Sequence, residues 1–334
     1  MIQTPSSADN NPVDAPTPRT SISVEMTTLG IEIGGTKLQL VTGTAQGSIL
    51  DRRRLQVERA SGGEGIRKEI AAHLPALIEA HKPIGIGVGF GGPVDHRTGR
   101  IACSHQIQGW HDFELGQWLH GLTGLPIAID NDANVAALGE ARHGAGRNHD
   151  PVLWINMGSG VGGGLVVHQH LYHGAIPGEA ELGHLRLDKS GTLVEDRCSG
   201  WAVDRRIREA ITLHPEGPLA RLVGDAKQGE ARFLAQALAD HDPIAQAILS
   251  ELADNLAFAL SHAVHLFHPQ IIVVGGGLSL IGTPLRDAIA TALPGYVMES
   301  FHPVPAIALA GLGEDSVPVG ALALAFDAAG RGRD

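Results

Sequence analysis

Asp132 follows Asn131 where the apolar run PIAI (126–129) gives way to a helical pattern, and glycine-rich segments lie on both sides of the pair. The flanking segments are IEIGGTK (31–37), GFGGPVD (89–95) and NMGSGVGGG (156–164), with the pair itself inside DNDANVAALGE (130–140). A glycine turn after an apolar run lets backbone N–H groups approach an anion, because no Cβ stands in the way. A carboxylate between two such turns can take the proton of an attacking hydroxyl while the turns hold phosphates. Read together, the four segments describe a cleft for a nucleotide and a polyol. These are the parts that phosphoryl transfer would need.

Each segment has a plainer reading. Gly34 and Gly35 would turn a simple β-hairpin, for which Gly-Gly is favoured, as readily as they would present N–H groups to a phosphate beside Thr36 and Lys37. Glu32 sits two residues before Gly34, where a carboxylate could reach Mg²⁺ through water or simply face solvent. Gly158, Ser159 and Gly160 repeat the strand–turn–strand arrangement, and a flexible loop is the bland alternative. Neither turn is a Walker A site, since no G-x-x-x-x-G-K-[ST] occurs. GSGVGG matches a dinucleotide fingerprint only superficially, because a β pair surrounds it in place of a strand–helix unit. Asn and Asp are favoured helix N-caps and would explain Asn131-Asp132 without chemistry. Asp130 can fill that role, which frees Asp132 to face the cleft. Glu181, His184 and Glu195 fall in an irregular stretch and are the side chains that could hold sugar hydroxyls. Gly276 and Gly277 form a strand–glycine–helix unit suited to the adenosine end of a nucleotide. The remaining histidines, including His168, His170 and His173, show no metal spacing and read as surface residues.

The elements that must position these residues follow from patterning. Thr28 onward reads as β (TLGIEIG, KLQLVTG, SILDRRRLQV), followed by a helix over 64–80 with Ile66, Ile70, Leu74 and Leu77 at helical spacing. IGIGVGF (84–90) is a buried-type strand, and a helix around 115–122 leads to the strand before Asn131. VLWIN (152–156) and GGLVVHQH (163–170) form a second β pair around the second glycine turn, which hints at an internal duplication. The C-terminal part is more helical, with a long run over 243–267, a strand IIVVGGG (271–277), a helix near 280–293, a strand PAIALAGL and a last helix that packs back on the N-terminal part.

Composition bounds the reading. With 334 residues the chain can bury a large core, and its length favours two domains. There are 44 glycines, well above the roughly 7% average, so context and not the bare motif must carry each glycine turn. A formal charge of −11 argues against non-specific nucleic-acid binding. No apolar run is long enough to span a bilayer, and no secretory leader is expected. Cys103 and Cys198 are too few for a disulfide scaffold or a cysteine-rich zinc site, and they suit a reducing cytoplasm. Residues 1–27 are rich in Ser, Thr, Pro, Asn and Asp and are expected to be disordered, with Met26 an alternative start.

With these residues assembled, the chain from about Thr28 to Ala328 resembles the ROK family (repressors, open reading frames and sugar kinases) of the actin-like ATPase/hexokinase superfamily. The order of the motifs is far more specific than any one of them. The resemblance implies an α/β fold of two actin-like (ribonuclease H-like) domains with mixed sheets flanking a central cleft. The expected boundaries are 28–130, joined by the C-terminal helix 316–328, and 131–315. It makes IEIGGTK and NMGSGVGGG the two phosphate loops, with Gly34, Gly35, Thr36, Lys37, Gly158, Ser159 and Gly160 at the nucleotide. VVGGGLS becomes the adenosine segment through Gly276 and Gly277. It places Gly92, with the following HQIQGW, on the sugar side, and Asn131, Glu181, His184 and Glu195 on the sugar. Asp132 becomes the general base. It further implies ATP with Mg²⁺ near Glu32, a homodimer, and no nucleic-acid or membrane partner. Glu32 departs from the family's usual Asp and Ser159 from its usual Thr. The CxCGxxGC zinc cluster that many members carry after the ELGH histidine is absent, so no structural zinc is expected. About 27 residues before the first loop are too few for the winged helix of the repressors. The expected activity is ATP-dependent phosphorylation of a hexose 6-hydroxyl, glucose first. An N-acetylhexosamine or fructose kinase and a non-catalytic sugar sensor are the alternatives.

Overall fold

The computed structural model describes residues 26–104, 107–175 and 180–331. The expectation of disorder before Thr28 therefore lies outside the described residues, except at its end. Thr27 is already the first residue of a strand, paired with Thr44 and tied by its hydroxyl to the His81 carbonyl at 2.5 Å.

The β-branched and leucine-rich runs at the start form an antiparallel meander of β1 (Thr27–Ile33), β2 (Lys37–Thr44) and β3 (Ile49–Gln56). β4 (Ile86–Phe90) and β7 (Ile127–Asn131) then add in parallel, giving the order β3-β2-β1-β4-β7. A small ribbon of β5 (Val94–Asp95) and β6 (Arg100–Ile101) lies between them in the chain. The second sheet repeats the order and the strand senses. β8 (Val152–Met157), β9 (Val161–Val167) and β10 (His170–Leu171) are antiparallel, and β11 (Ile271–Gly275) and β12 (Ala306–Leu309) add in parallel as β10-β9-β8-β11-β12. This matching topology is what the two glycine-turned β pairs foreshadowed. The fold is α/β with two mixed sheets.

Helices fill the connections. α1 (Gly62–His81) buries Ile66, Ile70, Leu74 and Leu77, the stripe read from the sequence, and α2 (Leu115–Thr123) precedes β7. After β7 comes α3 (Asp132–His143). The second half holds α4 (Val194–Cys198), α5 (Gly200–Leu213), α6 (Pro218–Val223), α7 (Leu234–Ala239) and the long α8 (Pro243–Phe267), whose cap is Asp242. α9 (Thr283–Ala292) and α10 (Ser316–Arg331) complete the chain. At two places a positive φ moves a boundary away from the sequence reading. The strand expected to run to His170 stops at Val167, because His168 and Gln169 take positive φ values of 51° and 64° and turn the chain into β10. The helix expected near Leu280 is a 3₁₀ turn over Gly277–Ile281, and α9 begins only after Gly282, whose φ is +84°.

The two halves exchange helices. α3 leaves the first sheet and packs on β8 and β9, while α10 leaves the second sheet and packs on β1 and β4. The two helices also pack on each other, which small residues permit. A Cβ at Gly320 would strike the Val135 carbonyl and one at Gly139 the Ser316 carbonyl. Every residue of α3 from Ala133 to Ala141 is buried, so the helix is held on all sides and its first residue, Asp132, is fixed in place.

Candidate active site

Asn131 ends β7 in extended geometry and caps α3, its Oδ1 accepting from the Ala133 N–H at 2.9 Å. The sequence reading gave that role to Asp130, and the structure corrects it. Asp130 is buried and serves as a hub. One oxygen accepts from the Asn131 N–H (2.8 Å) and Asn134 Nδ2 (2.9 Å), and the other from His173 Nε2 (2.5 Å). A strand residue one position too early cannot reach the helix N–H groups that its neighbour satisfies. His173, expected at the surface, has a side chain only 22% exposed and occupied by this bond. His168 and His170 are exposed, as expected.

Asp132 stands beside the first glycine turn. A methyl group placed on Gly91 would lie 3.4 Å from an Asp132 carboxylate oxygen and 3.7 Å from the Gly34 Cα. Three segments thus converge around Gly91: the β1–β2 turn, the start of the sugar-side loop and the Asp132 carboxylate at the start of α3. Burial, with the charge of Glu32 behind it, pushes the Asp132 carboxyl up to about 6 against the pull of the Ala133 N–H. A carboxyl in that range is mostly ionised at neutral pH and still basic enough to accept a proton. Asn131 Nδ2 donates to the Gly92 carbonyl at 3.2 Å, which pins the sugar-side loop to the same junction and leaves one amide hydrogen unspent.

The phosphate turns are arranged differently from each other. Gly34 N–H bonds the Lys37 carbonyl at 2.9 Å to close the first turn, with Thr36 exposed at its tip. Lys37 directs its ammonium to Glu32 at 3.1 Å, and Gln39 holds the other Glu32 oxygen at 2.6 Å. Glu32 is therefore neither a solvated strand residue nor an open metal ligand. Arg59 brings a further cation to this turn, its Nε donating to the Gly35 carbonyl at 3.2 Å. At the second turn Glu195, on α4 and not in a loop, accepts from the Val161 N–H at 2.8 Å. A Cβ at position 160 would press on the Glu195 carboxylate and push it off the Val161 N–H.

Thr36 and Arg59 face Gly158, Ser159 and Gly277 across a cleft of about 1250 Å³. Gly276 packs behind it on Met157. The cleft also holds groups with no local sequence signal. Trp201 at 69% and Leu280 at 83% exposure are large apolar side chains open to it, and Lys227 and Arg232 add positive charge. Asp204 shapes this wall by accepting from the Gly229 and Ala231 N–H groups at 3.1 and 2.7 Å. An apolar platform next to cations and glycine turns is what a nucleotide needs at its base and its phosphates.

Glu181 and His184 are exposed at the two ends of a short 3₁₀ turn whose Leu182 and Gly183 are buried against β9. His105 and Gln106 of the HQIQGW motif, and Gly178 and Glu179 before Glu181, lie outside the described residues. Among the described residues no group of three His, Cys, Asp or Glu side chains could hold a metal ion. None of their helices is long and apolar enough to cross a membrane.

The chain is similar to known proteins over nearly its whole length. Glucokinase of Thermotoga maritima is 29% identical over 304 residues, covering 89% of this chain and 96% of that protein. Glucokinase of Halalkalibacterium halodurans is 32% identical over 307 residues, covering 87% and 92%. The crystal structure of a ROK family glucokinase from Streptomyces griseus in complex with glucose and AMPPNP superposes with a TM-score of 0.77 at 30% identity, covering 90% of this chain and 99% of that one. The pattern of the ROK family matches residues 28–328, and the chain belongs to that family.

Proposed function

We propose that this protein is an ATP-dependent sugar kinase that transfers the γ-phosphoryl group to the 6-hydroxyl of glucose, with Asp132 as general base. The kinase activity is supported by near full-length similarity to glucokinases of two organisms. The observation that carries the mechanism is the Asp132 carboxylate bordering Gly91, which the Gly34 turn also borders; the upward shift of its carboxyl by burial supports the same role. Sugar enters on the side of Gly92, Asn131, Glu181, His184 and Glu195, and the nucleotide lies in the cleft between Thr36, Ser159 and Gly277. Asp132 takes the proton of the attacking hydroxyl as the P–O bond to ADP breaks and the new P–O bond forms. A positioned base contributes about 10²–10⁴-fold. Alignment of the two substrates and donors aimed at the phosphoryl oxygens contribute the larger share.

Mg²⁺ carried on the nucleotide would supply further neutralisation of the phosphoryl oxygens. The donor set fits an ion held chiefly by phosphates and water, since Glu32 is spent on Lys37 and Gln39. Glucose is preferred over N-acetylhexosamines because the relatives named above are glucokinases. A panel assay with ATP and glucose, mannose, fructose, N-acetylglucosamine and N-acetylmannosamine tests the reading. The expected result is the highest kcat/KM with glucose. A higher value with another sugar overturns the substrate, and binding without turnover overturns the kinase.

A further inference from the structure

His173 and His96 come from opposite halves of the chain and stack with ring centroids 3.7 Å apart and planes 11° from parallel. His96 lies just after β5 in the sugar-side loop, and His173 lies just after β10. The edge of the His173 ring is engaged as well, with Nε2 donating to Asp130 at 2.5 Å. Asp130 in turn holds the Asn131 N–H and Asn134. Burial, and next the charge of His173, lower the His96 imidazole below its ordinary value, so His96 offers a neutral ring face to its partner. A buried carboxylate with three donors and a ring held on both edge and face is a rigid joint.

We propose that His173 is a positioning residue for the sugar side of the cleft. It ties the β7–α3 junction, which bears Asn131 and Asp132, to the loop of Gly92 and to the strand end that precedes Glu181. Asn131 makes the second tie through the Gly92 carbonyl. The nucleotide side is built from other residues: Thr36, Ser159 and Gly277 line the cleft, and His96, Asp130 and His173 are not among its lining residues. Loss of the clasp therefore loosens sugar binding and leaves ATP binding alone.

The kinetic arm of the test rests on the hexose kinase reading, and a second arm does not. His173→Ala should raise the sugar KM by about tenfold or more, the loss expected when a hydrogen bond to a charged group is removed. Its ATP KM should stay within about twofold of the parent enzyme, and any fall in kcat, expected because the same junction bears Asp132, should accompany the rise in sugar KM. His173→Gln, which keeps a donor near the Nε2 position, should recover part of the loss. His96→Phe, which keeps a stacking face, should bind sugar as the parent does, while His96→Ala should not. Equal changes in both KM values, an effect on kcat alone, or no rescue by either conservative variant would overturn the proposal. Hydrogen exchange on the ligand-free protein supplies the independent arm. The amides of Tyr172, bonded to the Leu165 carbonyl, and of Asn131 should exchange at least about tenfold faster in His173→Ala. Unchanged exchange at both would overturn the clasp whatever sugar the enzyme takes.

Discussion

Glu140 and Asp132 are carboxylates at opposite ends of α3, and their surroundings differ as structure and chemistry require. Glu140 is fully buried and accepts four hydrogen bonds, from the Ala145, Gly311 and Leu312 N–H groups and the Ser316 hydroxyl, at 2.8–2.9 Å. These bonds tie α3 to the segment that leads into α10 and so hold the exchanged helices together. Asp132 has only the Ala133 N–H and its own N–H to set against its burial, and its carboxyl rises to about 6. One end of the helix spends its charge on the fold. The other end is left short of donors and so stays ready for a proton. Asp130, two residues before the base, belongs with Glu140, its oxygens met by three donors.

The contrast predicts the sharpest difference for Asp132→Asn. The amide keeps the shape and can hydrogen-bond a hydroxyl but cannot take its proton. kcat should fall by about 10²–10⁴-fold with sugar Kd nearly unchanged, the pattern of an interaction needed mainly in the transition state. Near-parental turnover would reduce Asp132 to a helix-start residue. Glu140→Ala should act on the other quantity. Several buried donors lose their acceptor, and unfolding free energy should drop by about 3–5 kcal/mol. Denaturation of Glu140→Ala within about 0.5 kcal/mol of the parent would show that water replaces the carboxylate without loss.

Much of this contrast could be read before the structure, and part could not. The turn at Gly34 and Gly35, the turn at Gly158–Gly160 and the junction at Asn131 are local, so residue type and apolar periodicity are enough to place them. The stripe of α1 is local in the same sense. The cap fell to Asn131 and not to Asp130 because a cap differs from its neighbour by one residue of register, which patterning does not resolve. His173 was missed because its partners, Asp130 and His96, are remote in sequence and reach it only through the pairing of β9 with β10. Trp201, Lys227 and Arg232 join the cleft through packing of α5 against the turn that Asp204 organises, and no motif marks them. Glu32 and Lys37 were visible as charges, but their mutual pairing follows from the β1–β2 register that sets Glu32 opposite Gln39.

A smaller effect sharpens the same comparison from the side of stability. A carboxyl raised from 3.8 to about 6 binds its proton more tightly in the folded protein than in the unfolded chain. Its contribution to stability is fully present below pH 3.8 and is lost as pH rises through about 6. Above that window the charged form is a burden that a neutral amide does not carry. Asp132→Asn should therefore stabilise the protein by about 1–2 kcal/mol at pH 7 and by little at pH 4, read from denaturant midpoints at both values. Glu140→Gln should destabilise it at both. Equal midpoints for Asp132→Asn and the parent at pH 7 would mean that Asp132 is as well satisfied as Glu140.

The most direct measurement is the titration of the Asp132 carboxyl itself. Carbon-13 labelling of aspartate side chains, with the Asp132 resonance assigned by its absence in Asp132→Asn, follows the charge without reference to turnover or to the identity of the sugar. The resonance should titrate at about 6 in the ligand-free protein. A midpoint at or below the ordinary aspartate value of about 3.9 would contradict the claim that this end of α3 is held short of donors for proton transfer.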